Sequence, residues 1–358
     1  MTEASEIDAL DLPTHEVIIE AVRVAGLAPS LHNSQPWRWV RSNAALHLFG
    51  VPQRRLACAD PTGREYRISL GVALDHLRMA LDAAGWSAAI TVLPDPSQPD
   101  HIARVQMARR QVVSPSADRR VRAITERFSH RLPMDAPVDF DEFTAALSEL
   151  TDTGPVAFSQ VQVSHLAAVA EASRLNDLER SSDWRYHSEL SWWTGTTVSS
   201  VEGVPATSLL TDNEYDALLV GRSFPRVIRA GAPATEDDAA QILVLDTTGD
   251  EPADHIACGV ALSAILVEAQ MRGLATCVVS DVTELPASRA MLCAAGGDPH
   301  RVGRFPQVLV RVGTARGEVV LPRSNRRPVD DIYDEDLDMQ LGQLFAAPVP
   351  LWPLLRGV

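Results

Sequence analysis

Apolar residues recur at helical spacing in two separate places along the chain. Leu70, Leu74, Leu77 and Leu81 form one such stripe, and Cys258, Leu262, Ile265 and Ala269 form the other. The first lies within "GVALDHLRMALDAAG" (71–85) and the second within "GVALSAILVEAQMRG" (259–273), which share their opening tetrapeptide and a glycine at the same distance. Each final glycine predicts a helix stop. Short strand-like runs follow, "WSAAITVLP" (86–94) and "LATCVVSD" (274–281). Further on, "PDHIARVQMA" (99–108) matches "PQVLVRVGTA" (306–315) without a gap at Pro, Arg, Val and Ala. The pattern predicts a duplicated helix–strand–strand unit, hence two similar α+β halves with a divide between residues 110 and 130. Residues 181–235 have no counterpart in the first half and read as an insertion of the kind that forms lids.

Composition narrows the chemistry. The formal charge of −15 argues against a nucleic-acid or anionic-membrane surface. All 32 basic residues are arginine, which excludes a pyridoxal Schiff base and a P-loop lysine. A phosphate group then depends on Arg, hydroxyls and backbone N–H groups. The four cysteines and ten histidines show no metal-ligand spacing, and the thiols are expected to pack as small hydrophobes in a reduced cytoplasmic protein. The acidic N-terminus lacks the features of a secretory signal, and the apolar run Ile256 to Val267 reads as a buried helix too short to span a bilayer.

Four stretches carry candidate chemistry. "ERFSHRLPMDAPV" (126–138) puts Arg127, Ser129 and Arg131 at alternate positions, so an extended backbone would turn two guanidinium groups and a hydroxyl one way. That set suits a phosphate monoester, although a solvated arginine run has the same spacing. "APSLHNSQPWRW" (28–39) is a proline-bounded loop whose Ser30, Asn33 and Gln35 suit the polar edge of a flat heteroaromatic ring; a capped loop with Trp37 in the core is the alternative. "GLATCVVSD" (273–281) offers small residues that let backbone approach such a ring, or is an ordinary buried strand. "RSNRRPVDD" (323–331) adds Arg326 and Arg327, or is a surface turn paired with Asp330 and Asp331.

Together these stretches resemble the flavin-dependent nitroreductase family, and more closely its duplicated single-chain Acg-like branch. The likeness runs over most of residues 15–335. It rests on R-x-S-x-R…P-V at 127–138, P-S-x-x-N-x-Q-P-W at 29–37, G-L-x-T at 273–276 and R-x-P-x-x-D at 326–331. The resemblance implies an α+β nitroreductase-like fold in which two tandem halves form an internal pseudo-dimer, residues 15–115 and 116–335, with a lid at 181–235 and a tail at 336–358. It implies one FMN per chain, because the ring loop occurs only in the first half and the phosphate motif only in the second. Carried over residue by residue, the flavin site would comprise Pro29, Ser30, Leu31, Asn33 and Gln35 at the ring, with Gly273, Ala275, Thr276, Val279 and Ser280 beside it. Arg127, Ser129 and Arg131 would hold the phosphate, assisted by Arg326 or Arg327.

The implied activity is NAD(P)H-dependent reduction of a small nitroaromatic or quinone-like acceptor by a monomer that mimics a dimer. The chemistry would lie on the flavin, with no catalytic side chain and no metal. Where relatives have Gly or Glu-Gly beside the flavin's reactive nitrogen, this chain has Ser280-Asp281. That departure and the insertion also fit a different class of protein, one that sequesters FMN and reduces little.

Overall fold

The two apolar stripes become the two longest helices, and these cross at the centre of the molecule. The computed structural model describes residues 12–42, 45–151, 154–194, 202–225, 227, 236–295, 303–317 and 324–335. The expected tail at 336–358 and parts of the expected lid lie outside the described residues. In chain order the first half contains α1 (His15–Ala25), β1 (Trp37–Arg41), β2 (Leu46–Gly50), α2 (Arg64–Ala83), β3 (Trp86–Val92) and β4 (His101–Arg109). Next come α3 (Ala117–Glu126), α4 (Phe140–Thr151), β5 (Val156–Gln160), α5 (Leu166–Arg180), α6 (Trp184–Trp193) and α7 (Asp212–Asp216). The chain continues through β6 (Gln241–Thr247), α8 (Pro252–Met271), β7 (Ala275–Val279), α9 (Pro286–Ala295), β8 (Phe305–Gly313), α10 (Val329–Ile332) and β9 (Tyr333–Asp334).

The duplication is visible in the sheets. One has the order β3-β4-β2-β1, the other β7-β8-β6-β5, and each of these neighbouring pairs is antiparallel. Helix α2 lies between β2 and β3 in the chain as α8 lies between β6 and β7. Both helices end as expected, since Gly85 (φ 82°) and Gly273 (φ 73°) take up the left-handed conformation that glycine adopts without steric strain. One core runs through both halves, joining Leu70, Leu74 and Leu77 of α2 to Leu262, Ile265 and Leu266 of α8. Strand β6 is buried on both faces: Leu243 and Leu245 enter that core, while Ile242 and Val244 join a second one with Val169 of α5 and Leu292 of α9.

The shared tetrapeptide has a structural cause. A Cβ placed on Gly71 would lie 2.2 Å from the Ile256 carbonyl oxygen and 3.0 Å from Gly259 Cα. One placed on Gly259 would lie 2.1 Å from the Ile68 carbonyl and 2.8 Å from Gly71 Cα. The two repeat glycines therefore face each other where α2 crosses α8, at the internal pseudo-two-fold. Side chains there would hold the helices apart.

Strand β9, at the end of the described chain, pairs in parallel with β1 and completes the first sheet. Three details differ from the sequence reading. The insertion spans all of residues 161–240 between β5 and β6, where the first half has only the short β1–β2 connection, so α5 belongs to it as well. Helix α8 reaches 20 residues and is long and apolar enough to cross a membrane by length and composition. Its buried residues instead line the core, because sheets and helices surround it on most sides. Of the cysteines, Cys258 and Cys277 are buried, but Cys58 is half-buried and Cys293 exposed.

Candidate functional site

A deep cavity takes its walls from both halves and from the insertion. The ring loop forms one wall. Its backbone is strained: His32 (φ 48°), Asn33 (φ 56°) and Gln35 (φ 49°) are all left-handed, a concentration that needs outside support. Ser30 provides part of it, its Oγ accepting from Gln35 N–H at 2.9 Å, and Ser69 Oγ of α2 accepts from Leu31 N–H at 3.3 Å. Pro29, Ser30, Leu31 and Asn33 line the cavity. Gln35 does not. Its side chain is buried and its Oε1 accepts the Arg327 N–H at 2.8 Å, so both residues brace the loop from behind. Asn33 directs its amide sideways, donating to the carbonyls of Gly203 (3.0 Å) and Asn325 (3.1 Å).

The arginine segment leaves α3 in extended conformation and runs beside β7, with Ser129 bridged to Thr276 and His130 N–H donating to the Thr276 carbonyl at 2.8 Å. Arg127, Ser129 and Arg131 accordingly face the cavity, joined by Arg326. Arg127 is buried, and among the described residues none of these three guanidinium groups has a carboxylate within ion-pair distance. The Nε atoms of Arg127 and Arg326 have no hydrogen-bond partner there. Burial, with Arg326 adding, pulls Arg127 down to about 10, and burial alone does the same to Arg326. Unneutralised arginines held this close need an anion. From β7, Val279 and the following Ser280 line the cavity; Gly273, Ala275 and Thr276 do not, since Gly273 sits at the distant end of the turn and Thr276 is spent on the arginine segment.

Acidic groups make up another part of the wall. Asp281 is fully buried, and among the described residues its carboxylate oxygens meet no donor beyond its own backbone N–H. Burial raises it to about 7 against the pull of Arg222. Glu65, at the start of α2, is raised to about 8 by burial and by Glu284, with Arg64 opposing. Arg222 comes from the insertion and donates to Tyr186 Oη (2.9 Å), Ser280 Oγ (3.2 Å) and Glu284. Nearby, His32 is kept neutral by burial and by the charges of Arg222 and Arg131, and its ring meets the Phe224 ring at 5.6 Å.

Among the described residues, the part of the insertion that reaches the cavity is residues 202–225, a strap contributing Val204, Ser208, Leu210, Leu218, Arg222 and Phe224. Its start is tied down by the Arg54–Glu202 ion pair at 2.5 Å, by Asn33 and by Val204 N–H donating to the Trp193 carbonyl at 2.7 Å. A reciprocal Thr211–Glu214 cap begins α7 within it. The tryptophans stand aside. Trp193 packs with Leu190 against Leu56 and Ala59, Trp184 is exposed, and His187 is exposed on α6 away from the cavity.

No family model matches the chain. Whole proteins do. "Putative NAD(P)H nitroreductase acg" of Mycobacterium tuberculosis is 39% identical over 322 residues, covering 89% of this chain and 96% of the relative. The chain belongs to the Acg-like nitroreductase family. "Putative NAD(P)H nitroreductase Rv3131" of the same organism is 32% identical over 329 residues, covering 90% of this chain and 92% of its own length. A solved structure, the FMN and NADPH-dependent nitroreductase NfnB from sphigopyxis sp. strain HMH, matches with 16% identity and a TM-score of 0.39, covering 61% of this chain and 98% of that one. In this Acg-like chain the sequence motifs led to the loop and the arginines but not to Glu65, His32, Arg222 or Phe224 as parts of the wall. For Glu65 one signal was present, its place just ahead of the first repeat stripe. Arg222 and Phe224 had none, because the insertion has no counterpart in the repeat.

Proposed function

We propose that the chain is an FMN-dependent, NAD(P)H-oxidising reductase of nitroaromatic or quinone-like acceptors, acting as a monomer. The observation that carries this reading is the set of arginines in the cavity wall, Arg127 buried and Arg131 and Arg326 half-buried, with no carboxylate partner among the described residues, beside the Ser129 hydroxyl. A phosphate monoester neutralises them, and guanidinium forks match its oxygens. The strained 30–33 loop and Val279–Ser280 then border the ring, which supplies hydride chemistry when bound. The relatives named as NAD(P)H nitroreductases support the same assignment. The monomer reading is supported by α2 packing on α8 within one chain, a contact that relatives working as dimers would make between copies. The test is to purify the protein, add FMN, and record its absorbance before and after anaerobic NADPH, with light scattering for mass. One tightly held flavin per monomer that bleaches supports the reading; a colourless protein that takes up no FMN ends it.

A second reading, sequestration of FMN with little turnover, is favoured by the strap. Its ties to Arg54, Asn33 and Glu284 hold it across the cavity that a nicotinamide must enter. Loosening it separates the two readings. The Glu202→Ala/Phe224→Ala protein is expected to reduce with NADPH or dithionite about tenfold faster than the parent, an amount equal to roughly 1.4 kcal/mol of removed barrier. An unchanged rate would mean that the strap is not a lid.

A further inference from the structure

Asp281 differs from the half-buried carboxylates Asp250 and Asp238. Asp250 is held by two Arg289 nitrogens at 2.7 Å, by Gln307 at 2.9 Å and by His255 at 3.0 Å. Asp238 receives Arg311 at 2.8 Å and the Met134 N–H at 2.9 Å. Those are structural carboxylates with their lone pairs engaged. Asp281 is more deeply buried than either, yet among the described residues its oxygens meet no donor from another residue, only its own backbone N–H, and it lies in the cavity wall. A buried polar group in that state is stable only if it is neutral or meets a ligand. Glu65 is the nearest rival, but Arg64 Nη2 holds its Oε1 at 3.0 Å and leaves only Oε2 free.

We propose that Asp281 is the catalytic acid that delivers a proton to the acceptor reduced in this cavity, an inference that rests on the reductase reading above. The balance requires one proton. When NAD(P)H and a quinone become NAD(P)⁺ and a hydroquinone, the nicotinamide supplies a hydride, two electrons with one hydrogen, and the second hydrogen arrives as a proton. That proton leaves the Asp281 carboxyl, forms the second O–H bond, and is replaced from solvent in the next turnover. The carboxylate left behind faces Arg222 of the strap, which limits the cost of its charge. The other groups around it are Glu284 on the same turn, Asp177 from α5 and Tyr186 from α6. The two acids favour the protonated form and Arg222 opposes it. Burial is the largest influence, and it leaves the carboxyl titrating near neutral pH, where a general acid is most effective.

The test uses the FMN-loaded full chain and the Asp281→Asn protein, which keeps the shape and loses the exchangeable acid proton. In the parent, infrared difference spectra between about pH 5 and pH 9 should contain a protonated-carboxyl band that Asp281→Asn lacks. Reoxidation of the pre-reduced parent by a quinone should slow about tenfold per pH unit above neutrality, while Asp281→Asn should be about 100-fold slower and nearly pH-independent. FMN affinity should stay within about threefold, because the phosphate arginines are untouched. Asp281→Asn with the parent's rate and pH profile would overturn the proposal. If the variant does not fold, the parent decides alone: a protein with no carboxyl band titrating between about pH 5 and pH 9 has no such acid. A parent that takes up no FMN would instead count against the reductase reading, so the two failures are distinct.

Discussion

The Arg127→Ala/Arg326→Ala protein is expected to lose FMN and to melt at a higher temperature without it than the parent does. The two effects share one cause. Each guanidinium lies in the cavity wall with an unpartnered Nε and no carboxylate neighbour among the described residues. With phosphate bound, each contributes about 1.5–3 kcal/mol of charge-assisted hydrogen bonding, so removing both should weaken FMN by about two to four orders of magnitude. Without phosphate, the same charges repel each other in a poorly solvated site. Their lowered ionisation, to about 10 for each, means that the folded state holds these protons less well than the unfolded chain. That destabilisation is fully present below about pH 10 and is relieved only as the pH rises through that value. Alanine removes it at neutral pH. Calorimetry with and without FMN reads both arms. A double variant that binds FMN like the parent would place the phosphate elsewhere, and one that melts lower when empty would show that these arginines are structural.

The second large effect is expected at the helix crossing. In most helices Gly→Ala stabilises by roughly 0.5–1 kcal/mol, because alanine is the better helix former. At Gly71 or Gly259 the sign should reverse. The added Cβ would stand 2.2 Å or 2.1 Å from a backbone carbonyl oxygen of the opposite helix, and backbone cannot turn aside as a flexible side chain can. Helices α2 and α8 would have to separate across the core that joins the halves, at about 1–3 kcal/mol or more for each substitution. Because the cavity is lined by Ile68 and Val72 of α2 and by Leu262 of α8, FMN affinity should fall with stability. Gly273→Asn is the control, since nothing lies within 4 Å of its Cβ and asparagine tolerates the left-handed backbone. Denaturant melts of the three variants decide the matter. A Gly71→Ala protein as stable as the parent would mean that the helices can separate at the crossing without cost.

What could be read along the chain was whatever has a local period or spacing. The stripes at Leu70–Leu81 and Cys258–Ala269 identify helices because a helix repeats every 3.6 residues whatever it packs against. The matching "GVAL" starts exposed the duplication, and the alternate Arg127, Ser129 and Arg131 converge because an extended strand alternates its side chains. Direction within the loop was less legible. Asn33 and Gln35 have the right chemistry for a ring edge, but left-handed backbone turns Gln35 toward Arg327 and sends the Asn33 amide to Gly203.

The glycine contact between α2 and α8 joins residues 188 positions apart, and no local pattern distinguishes it from an ordinary helix glycine. Asp281 read only as a departure from a motif. Its raised titration depends on burial and on Arg222, Glu284 and Asp177 around it, surroundings that only the fold brings together. Arg222 reaches Ser280 across 58 positions from an insertion that matches nothing in the first half. The amino-acid sequence alone thus determined the elements, the duplication and the arginine motif, because short-range sterics and periodicity act within a few residues. Tertiary packing alone decided which charges are left unpaired and which acid burial pushes toward its protonated form, because desolvation and Coulomb energies depend on distance in space and not along the chain.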